Sequence, residues 1–197
     1  MRVTAEVKLA TRRRILEAAR DCFSQAGFEA ATTRDIAAAA GIAAGTLFNY
    51  FPAKEAIAMA LVAEALGAAR HGFEQLPSGE SLEEDLFALI AAELRALRPH
   101  RGYLRPVVET ALSPLARAEA SPEGEAIRVE HLETVGRLIA GRAPEASMSP
   151  VAWSLYWTLY TGVLAFWACD ASPHQEDTLA VLDHYLKAFV SSRPRTG

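Results

Sequence analysis

Little in this sequence speaks for redox, metal or cofactor chemistry. It has two cysteines, Cys22 and Cys169, and no CxxC pair; its five histidines, His71, His100, His131, His174 and His184, are scattered without metal-ligand spacing. That excludes a zinc finger and a disulfide framework, and no metal is expected. Cys22 stands beside Phe23 on an apolar helix face and reads as core. Neither a phosphate-cradling Gly-rich loop nor a dinucleotide fingerprint is present, so no cofactor is expected. Glu83-Glu84-Asp85 reads as helix-start charge rather than an acid–base pair, and no catalytic constellation emerges. Met1 to Ala10 lacks an apolar core segment, which leaves the cytoplasm as the expected compartment. A basic excess is missing too, since the net charge is −4.

What is present is an ordinary globular composition with an uneven charge. The 197 residues are 51% apolar and 22% charged, enough for one or two soluble domains with a core. From Met1 to Lys54 eight Lys/Arg stand against five Asp/Glu, a balance of +3; from Glu55 onward twelve stand against nineteen, a balance of −7. A positive head on an acidic body suits a protein that touches nucleic acid at one end only.

The head holds the most informative stretch, TTRDIAAAAGIAAGTLFNYFPAK, Thr32 to Lys54. Thr32 with Asp35 three residues on makes a variant capping box. Ile36, Ala37 and Ala40 recur at helical spacing, and Gly41 supplies the positive φ that ends the helix before Ile42. Ala43 to Tyr50 restarts a helix, which Phe51-Pro52 stops. Helix, short Gly-containing turn, helix is the helix-turn-helix pattern, whose second helix lies in the DNA major groove. Before it, Thr11 caps a first helix whose buried stripe is Ile15, Ala18, Ala19, Cys22, Phe23 and Ala26. Gly27 ends that helix and Phe28 folds back on it. Arg12, Arg13 and Arg14 then fall in the first turn, where the helix dipole disfavours them; a phosphate backbone or a solvated charge run would account for the placement.

The run from Arg12 to Ile57, in particular RRRILEAARDCFSQAGFEA and TRDIAAAAGIAAGTLFNYFPAKEAI, resembles the DNA-binding domain of the TetR family of transcriptional regulators. G-T-L-F-N-Y-F-P-A-K after an A-G-I turn carries most of that resemblance, which covers about the first quarter of the chain. It implies an all-α protein: a three-helix helix-turn-helix head at residues 1–54, a fourth helix at 53–71 as connector, and a helical ligand-binding and dimerisation body at 55–197, about nine helices altogether. In this reading Ile36, Ile42, Leu47 and Phe51 are core. Thr46, Asn49 and Tyr50 face outward: the hydroxyls donate to phosphates, as the family's equivalents do, and Asn49 reads a base edge. Lys54 reaches a phosphate, and Thr32, Thr33 and Arg34 grip the backbone. Two departures stand out. The family usually has polar residues where Ala43 and Ala44 stand and tyrosine where Phe48 stands. Base donors are therefore few; Ala44 and Phe48 offer apolar contact, such as a thymine methyl, and DNA shape carries more of the readout.

In the body, Leu76-Pro77-Ser78-Gly79 breaks the fourth helix. Ser81 with Glu84 makes a capping box for a fifth, Leu82 to Leu97. Pro99 to Gly102 is a turn, and a shorter helix covers Tyr103 to Leu112. Ser113-Pro114 interrupts, a loop or short helix reaches Ala120, and Ser121-Pro122 starts a helix running to Ala140. Gly141 to Ser149 is a loop. Ala146 to Cys169 carries no charge, which raises the membrane question. Ser154, Tyr156, Thr158, Tyr160 and Thr161 inside the run, with no basic flank, answer it as a helix buried on all sides, and no membrane partner is expected. Ser154, Thr158, Thr161 and Ala165 form a small-residue stripe. The last helix, Gln175 to Ser191, carries Leu179, Leu182, Leu186 and Phe189 on one side and Tyr185 on another. Periodicity permits, and the resemblance implies, a four-helix interface between two copies.

An apolar pocket is expected among Phe87, Ile90, Leu94, Tyr103, Val107, Ile127, His131, Trp153 and Trp157, holding a small apolar or aromatic effector. His131 reads equally as a satisfied core histidine. The expected function is a ligand-responsive regulator, a repressor by family habit, whose homodimer binds a pseudo-palindromic double-stranded operator. The alternative is a helical carrier or sensor of apolar ligands that does not bind an operator.

Overall fold

The computed structural model describes residues 4–112, 122–143 and 148–191. Among them there is no strand; the elements are α1 (Ala5–Ala26), α2 (Thr33–Ala39), α3 (Ala44–Leu47), α4 (Lys54–Phe73), α5 (Leu82–Leu97), α6 (Arg101–Val107), α7 (Pro122–Arg142), α8 (Pro150–Cys169) and α9 (Glu176–Ser191). The fold is all-α with an N-terminal helix-turn-helix. It divides into two compact units, Met1–Val62 and Ala63–Gly197, and the division falls inside α4.

In the first unit, α1 begins earlier than expected. Thr4, not Thr11, is its N-cap, accepting the Val7 N–H at 3.3 Å. Thr11 sits inside the helix and its hydroxyl donates back to the Val7 carbonyl at 2.9 Å. The three arginines therefore lie beyond the first turn, and the dipole penalty does not apply to them. Arg14 reaches across to α2 and donates to the carbonyls of Ala40 and Gly41, closing the end of that helix. Arg12 lies 5.2 Å from the Phe51 ring centroid. The core is Ile15, Leu16, Ala19, Phe23, Ile36, Ala37, Leu47 and Phe51, all buried. Gly27 takes φ 80° and its N–H bonds the Phe23 carbonyl at 3.1 Å, and Phe28 returns to set its ring edge-on to Phe23 at 5.1 Å.

In the second unit, α5 and α9 are the most amphipathic helices and pack on one another, and Leu86, Leu89, Ile90 and Leu97 of the first and Leu182, Leu186 and Phe189 of the second are buried. Ser81 caps α5 by accepting the Glu84 N–H at 3.1 Å, but the box is only half made: Glu84 takes the N–H of Glu80 instead. The turn expected at Pro99 to Gly102 is helical. A 3₁₀ turn, Arg98–His100, feeds α5 into α6, and a π-helical turn, Val108–Leu112, follows. The loop or short helix expected from Ser113 to Ala120, the Ser121 cap and residues 144–147 of the expected 141–149 loop lie outside the described residues; Gly141 and Arg142 still belong to α7. α8 is capped by Ser149 with Pro150 in its first turn. It is not buried all round: Val151, Leu155 and Phe166 are exposed, with Ser154, Thr158, Gly162 and Ala165 beside them. By length and composition α4 is the described helix able to cross a membrane; its Ile57–Val62 stretch is buried in the fold.

Candidate nucleic-acid interface

The helix-turn-helix is built by local bonds. Thr32 accepts the Asp35 N–H at 3.2 Å, and the Asp35 carboxylate takes the Thr32 N–H at 3.0 Å and its hydroxyl at 2.6 Å. These bonds hold the Asp35 carboxyl below the usual carboxylate range, the Thr32 hydroxyl first and its N–H second. The fixed start of α2 presents Thr33, half-buried, and Arg34, exposed. Gly41 takes φ 63°, a left-handed turn that a side chain disfavours, and its N–H bonds the Ala38 carbonyl at 3.0 Å.

The second helix is much shorter than the expected 43–50. Ala43 has no side chain to cap it, Gly45 lowers its propensity, and only Ala44–Leu47 is α-helical. The chain then tightens: the Asn49 and Tyr50 N–H groups bond the Thr46 and Leu47 carbonyls three residues back, at 3.1 and 2.9 Å. Leu47 and Phe51 anchor this segment in the core. Outward from it stand Asn49 and Phe48, the latter 51% exposed, with Ala44, Thr46 and Tyr50 half-buried. Lys54 has a second role that the sequence did not suggest. Its ammonium sits 4.3 Å from the Phe28 ring centroid and donates to the carbonyls of Phe28 and Glu29, fixing the start of α4 to the end of α1.

The second unit gathers some of the expected pocket residues around a buried polar network. His131, fully buried on α7, is bonded at both ring nitrogens: Nδ1 to Glu93 Oε1 at 3.0 Å and Nε2 to the Tyr156 hydroxyl at 3.0 Å. The tautomer that satisfies all three groups has Nδ1 donating and Nε2 accepting. Its ring stacks on Tyr160 at 3.9 Å, with Trp157 edge-on at 6.2 Å. Arg70 donates to the same Glu93 oxygen at 3.2 Å and also pairs with Glu130. Glu93 Oε2 and the Tyr160 hydroxyl are buried and make no close hydrogen bond among the described residues, although Tyr160 lies near enough to Glu93 for the carboxylate to act on its hydroxyl. Burial, and after it the charge of Glu93, pushes the Tyr156 and Tyr160 hydroxyls well above the ordinary tyrosine range.

The other expected pocket residues are more dispersed. Ile90, Leu94, Tyr103, Val107 and Ile127 are buried; Phe87 and Trp153 are half-buried. Tyr103 pairs with His100 Nδ1, and the Trp157 indole donates to the Leu112 carbonyl at 3.2 Å. Two cavities lie where α5, α8 and α9 converge, and of the expected set only Leu94 lines either of these. Of the residues expected between two copies, Ser154, Thr158, Ala165 and Leu179 are exposed and Tyr185 is half-buried. Thr161, Leu182, Leu186 and Phe189 are buried inside the protomer and offer a partner no surface.

Residues 15–61 match the family model described as bacterial regulatory proteins, tetR family. Over 105 residues the chain is 32% identical to the HTH-type transcriptional repressor Rv1474c of Mycobacterium tuberculosis, covering 51% of this chain and 56% of that one. Over 52 residues it is 44% identical to the HTH-type transcriptional regulator UidR of Escherichia coli, covering 26% of each. The chain thus spans about half, or less, of the length of the curated relatives it matches. Among solved structures it is similar to Thermus thermophilus FadR, a TetR-family repressor in complex with lauroyl-CoA: TM-score 0.70, 24% identity, 94% of this chain and 97% of that one. A TetR regulator from Rhodococcus sp. RHA1 gives a TM-score of 0.68 at 17% identity, over 96% and 100% of the two chains. The capped helix-turn-helix at residues 15–61 thus matches the DNA-binding domain of the tetR family of bacterial regulatory proteins, and the rest of the chain shares its fold with solved regulators of that family.

Proposed function

We propose that the protein is a cytoplasmic, non-enzymatic, ligand-responsive transcriptional regulator, a repressor, that binds a pseudo-palindromic operator as a homodimer and leaves it on binding a small effector. The observation that carries this reading is the head: a capped α2, a left-handed Gly41 and a short second helix presenting Thr46, Phe48, Asn49 and Tyr50. Residues 1–54 form the DNA-binding domain in this reading, with α4 as connector and the rest as body. Thr46, Tyr50 and the Thr32–Arg34 turn contact phosphates; Asn49 reads a base edge, and Ala44 and Phe48 supply apolar contact to the groove. Lys54 keeps one ammonium donor beyond its two carbonyls, and that donor meets a phosphate.

The effector reading rests on the body. A protein of the same fold is known in complex with lauroyl-CoA, which supports a ligand with an apolar part. Glu93 Oε2 and the Tyr160 hydroxyl, which make no close hydrogen bond among the described residues, are the polar anchors of that ligand; His131 is held by the network and positions them. The aromatic walls are Trp157, Tyr156 and Tyr160. Effector must bind the DNA-incompetent arrangement more tightly than the competent one, and a coupling of about 1–3 kcal/mol is enough for regulation. A shift of α4 that alters the spacing of the two recognition segments would transmit it. The exposed α8 face, with Thr158 at its centre, supplies the two-fold contact.

The test is selection of bound fragments from the source genome. The expected product is an inverted repeat with half-sites about 10 bp apart or a multiple of that. Enrichment of no sequence, beside saturable binding of apolar ligands to the body, would favour the carrier reading instead.

A further inference from the structure

We propose that the groove where the ends of α5, α8 and α9 meet binds a small organic anion, a carboxylate carried on a short aromatic or branched apolar group. The site begins in the sequence as Arg95, Arg98 and Arg101, three arginines at steps of three. Residues three apart share a helix face, and in a 3₁₀ turn they eclipse. The Arg98–His100 turn therefore stacks Arg98 and Arg101 on the side that Arg95 already occupies. Arg101 is engaged within the chain. It donates to the carbonyls of Trp167, at 3.1 Å, and Asp170, and lies 5.4 Å from the Trp167 ring centroid, closing the end of α8. Arg95 and Arg98 are exposed, line the groove, and have no side-chain partner among the described residues.

The facing wall is the entry to α9. His174 and Gln175 both adopt left-handed backbone, φ 53° and 62°, which residues with side chains populate sparsely. The turn is held by the buried indole of Trp167, whose N–H donates to Gln175 Oε1 at 2.9 Å. This conformation places His174 and Gln175 on the rim of both cavities, one of about 120 Å³ and one of about 360 Å³, which also share Arg98. The floor of the smaller cavity is apolar: Leu94, Leu179 and the Trp167 ring.

Two features select the ligand. The acid in the wall of the larger cavity, Asp170, is already satisfied: it accepts the Ser172 N–H at 2.8 Å, the Thr178 N–H at 3.0 Å and the Thr178 hydroxyl. Neutral donors leave its negative charge in place, but three arginines, Arg95, Arg98 and Arg101, outweigh that one carboxylate, and the exposed guanidinium groups of Arg95 and Arg98 match a ligand carboxylate in shape and shed water readily. For the apolar part, a dry cavity of about 150 Å³ holds a benzene ring. The smaller cavity, which shares Arg98, His174 and Gln175 with the larger one, therefore suits one ring or a short branched chain against the indole. The buried network around Glu93 would repel an anion, so the two sites ask for different ligands. The groove belongs to the body alone and does not depend on operator binding.

The test is calorimetric titration of the full chain with benzoate, benzamide and inorganic phosphate, followed by the indole N–H resonances of the three tryptophans. Benzoate should bind saturably and move the Trp167 resonance. Benzamide, without the charge, and phosphate, without the ring, should each bind at least about tenfold more weakly. Arg98→Gln should weaken benzoate by about tenfold or more. Arg105→Gln removes the same charge from an exposed arginine paired with Glu109 and should change nothing. The proposal is overturned by failure of benzoate to saturate at millimolar concentration, by benzamide or phosphate matching it, or by equal losses in the two variants.

Discussion

His131 shows how a residue's sequence environment and its structural role can part. It sits at helical spacing among apolar neighbours, and that pattern fits a ligand contact and a core histidine alike. Both ring nitrogens turn out to be bonded within the chain, to Glu93 and Tyr156. The partners come from α5 and α8, and no local pattern pairs residues 38 and 25 positions apart. Arg70 was hidden for the same reason, and its loss should be costly. Glu93 is fully buried and its neutral His131 partner supplies no charge, so Arg70→Met leaves the carboxylate without a cationic partner and should destabilise the body by about 3–5 kcal/mol in urea unfolding. Adding Glu93→Gln should recover part of that loss; no recovery would place the damage in packing instead of charge. Asp170 makes a prediction about pH. Bonds from Thr178 first, then from Ser172, hold its carboxyl well below the usual range. A depressed folded pKa stabilises above the unfolded value, near 4, and the contribution is lost as pH falls through it. The melting-temperature gap between wild type and Asp170→Asn should be full at neutral pH and shrink below about pH 4; a gap that stays constant into acid would assign the effect to shape. The cationic groove had a legible signal, Arg95, Arg98 and Arg101 at steps of three, but it gained meaning only when α9 supplied the opposite wall.

Elements were read best where one residue type decides the backbone. The Thr32–Asp35 box, Gly27 and Gly41 lie where the residues place them, because caps and left-handed turns are local chemistry. Gly41→Ala should cost about 1–2 kcal/mol, since φ 63° is unfavourable for alanine and its methyl would crowd the Arg14 side chain at 3.3 Å. Thermal unfolding of the head measures it. The start of α1 was missed because Thr4 and Thr11 both qualify as caps, and propagation of the helix through Thr11 to the earlier site wins. The length of α3 was missed because Ala43 to Tyr50 contains no breaker other than Gly45, while the anchoring of Leu47 and Phe51 sets a tighter path. In α8 and α9 the periodicity gave apolar faces without saying what covers them. The fold divides the set, and the division is testable. Thr158→Arg, on an exposed face, should turn a dimer into folded monomers by light scattering. Leu182→Glu, 1% exposed, should instead unfold the protomer, because it buries an unpaired charge. If both variants gave folded monomers, Leu182 would belong to the interface after all.

For the whole molecule, the charge division and the head's geometry bear on how binding responds to salt. Lys54→Ala should reduce the slope of log affinity against log salt by about 1 per half-site, weaken all sequences alike, and also lower the melting temperature, since the ammonium ties α4 to Phe28 and Glu29. A lower melting temperature with an unchanged slope would confine Lys54 to the tie. Finally, α4 runs unbroken from Lys54 to Phe73 across the place where one unit gives way to the next. A chain in two units invites grafting, the head of one protein onto the body of another, and here the seam would have to be cut through a helix. One residue inserted after Val62 turns everything downstream by about 100° and advances it about 1.5 Å, whereas seven residues return nearly the original facing about 10.5 Å further on. Each half of such a chimera should fold and bind its own partner. Only grafts that keep the helical phase should still answer one partner with the other.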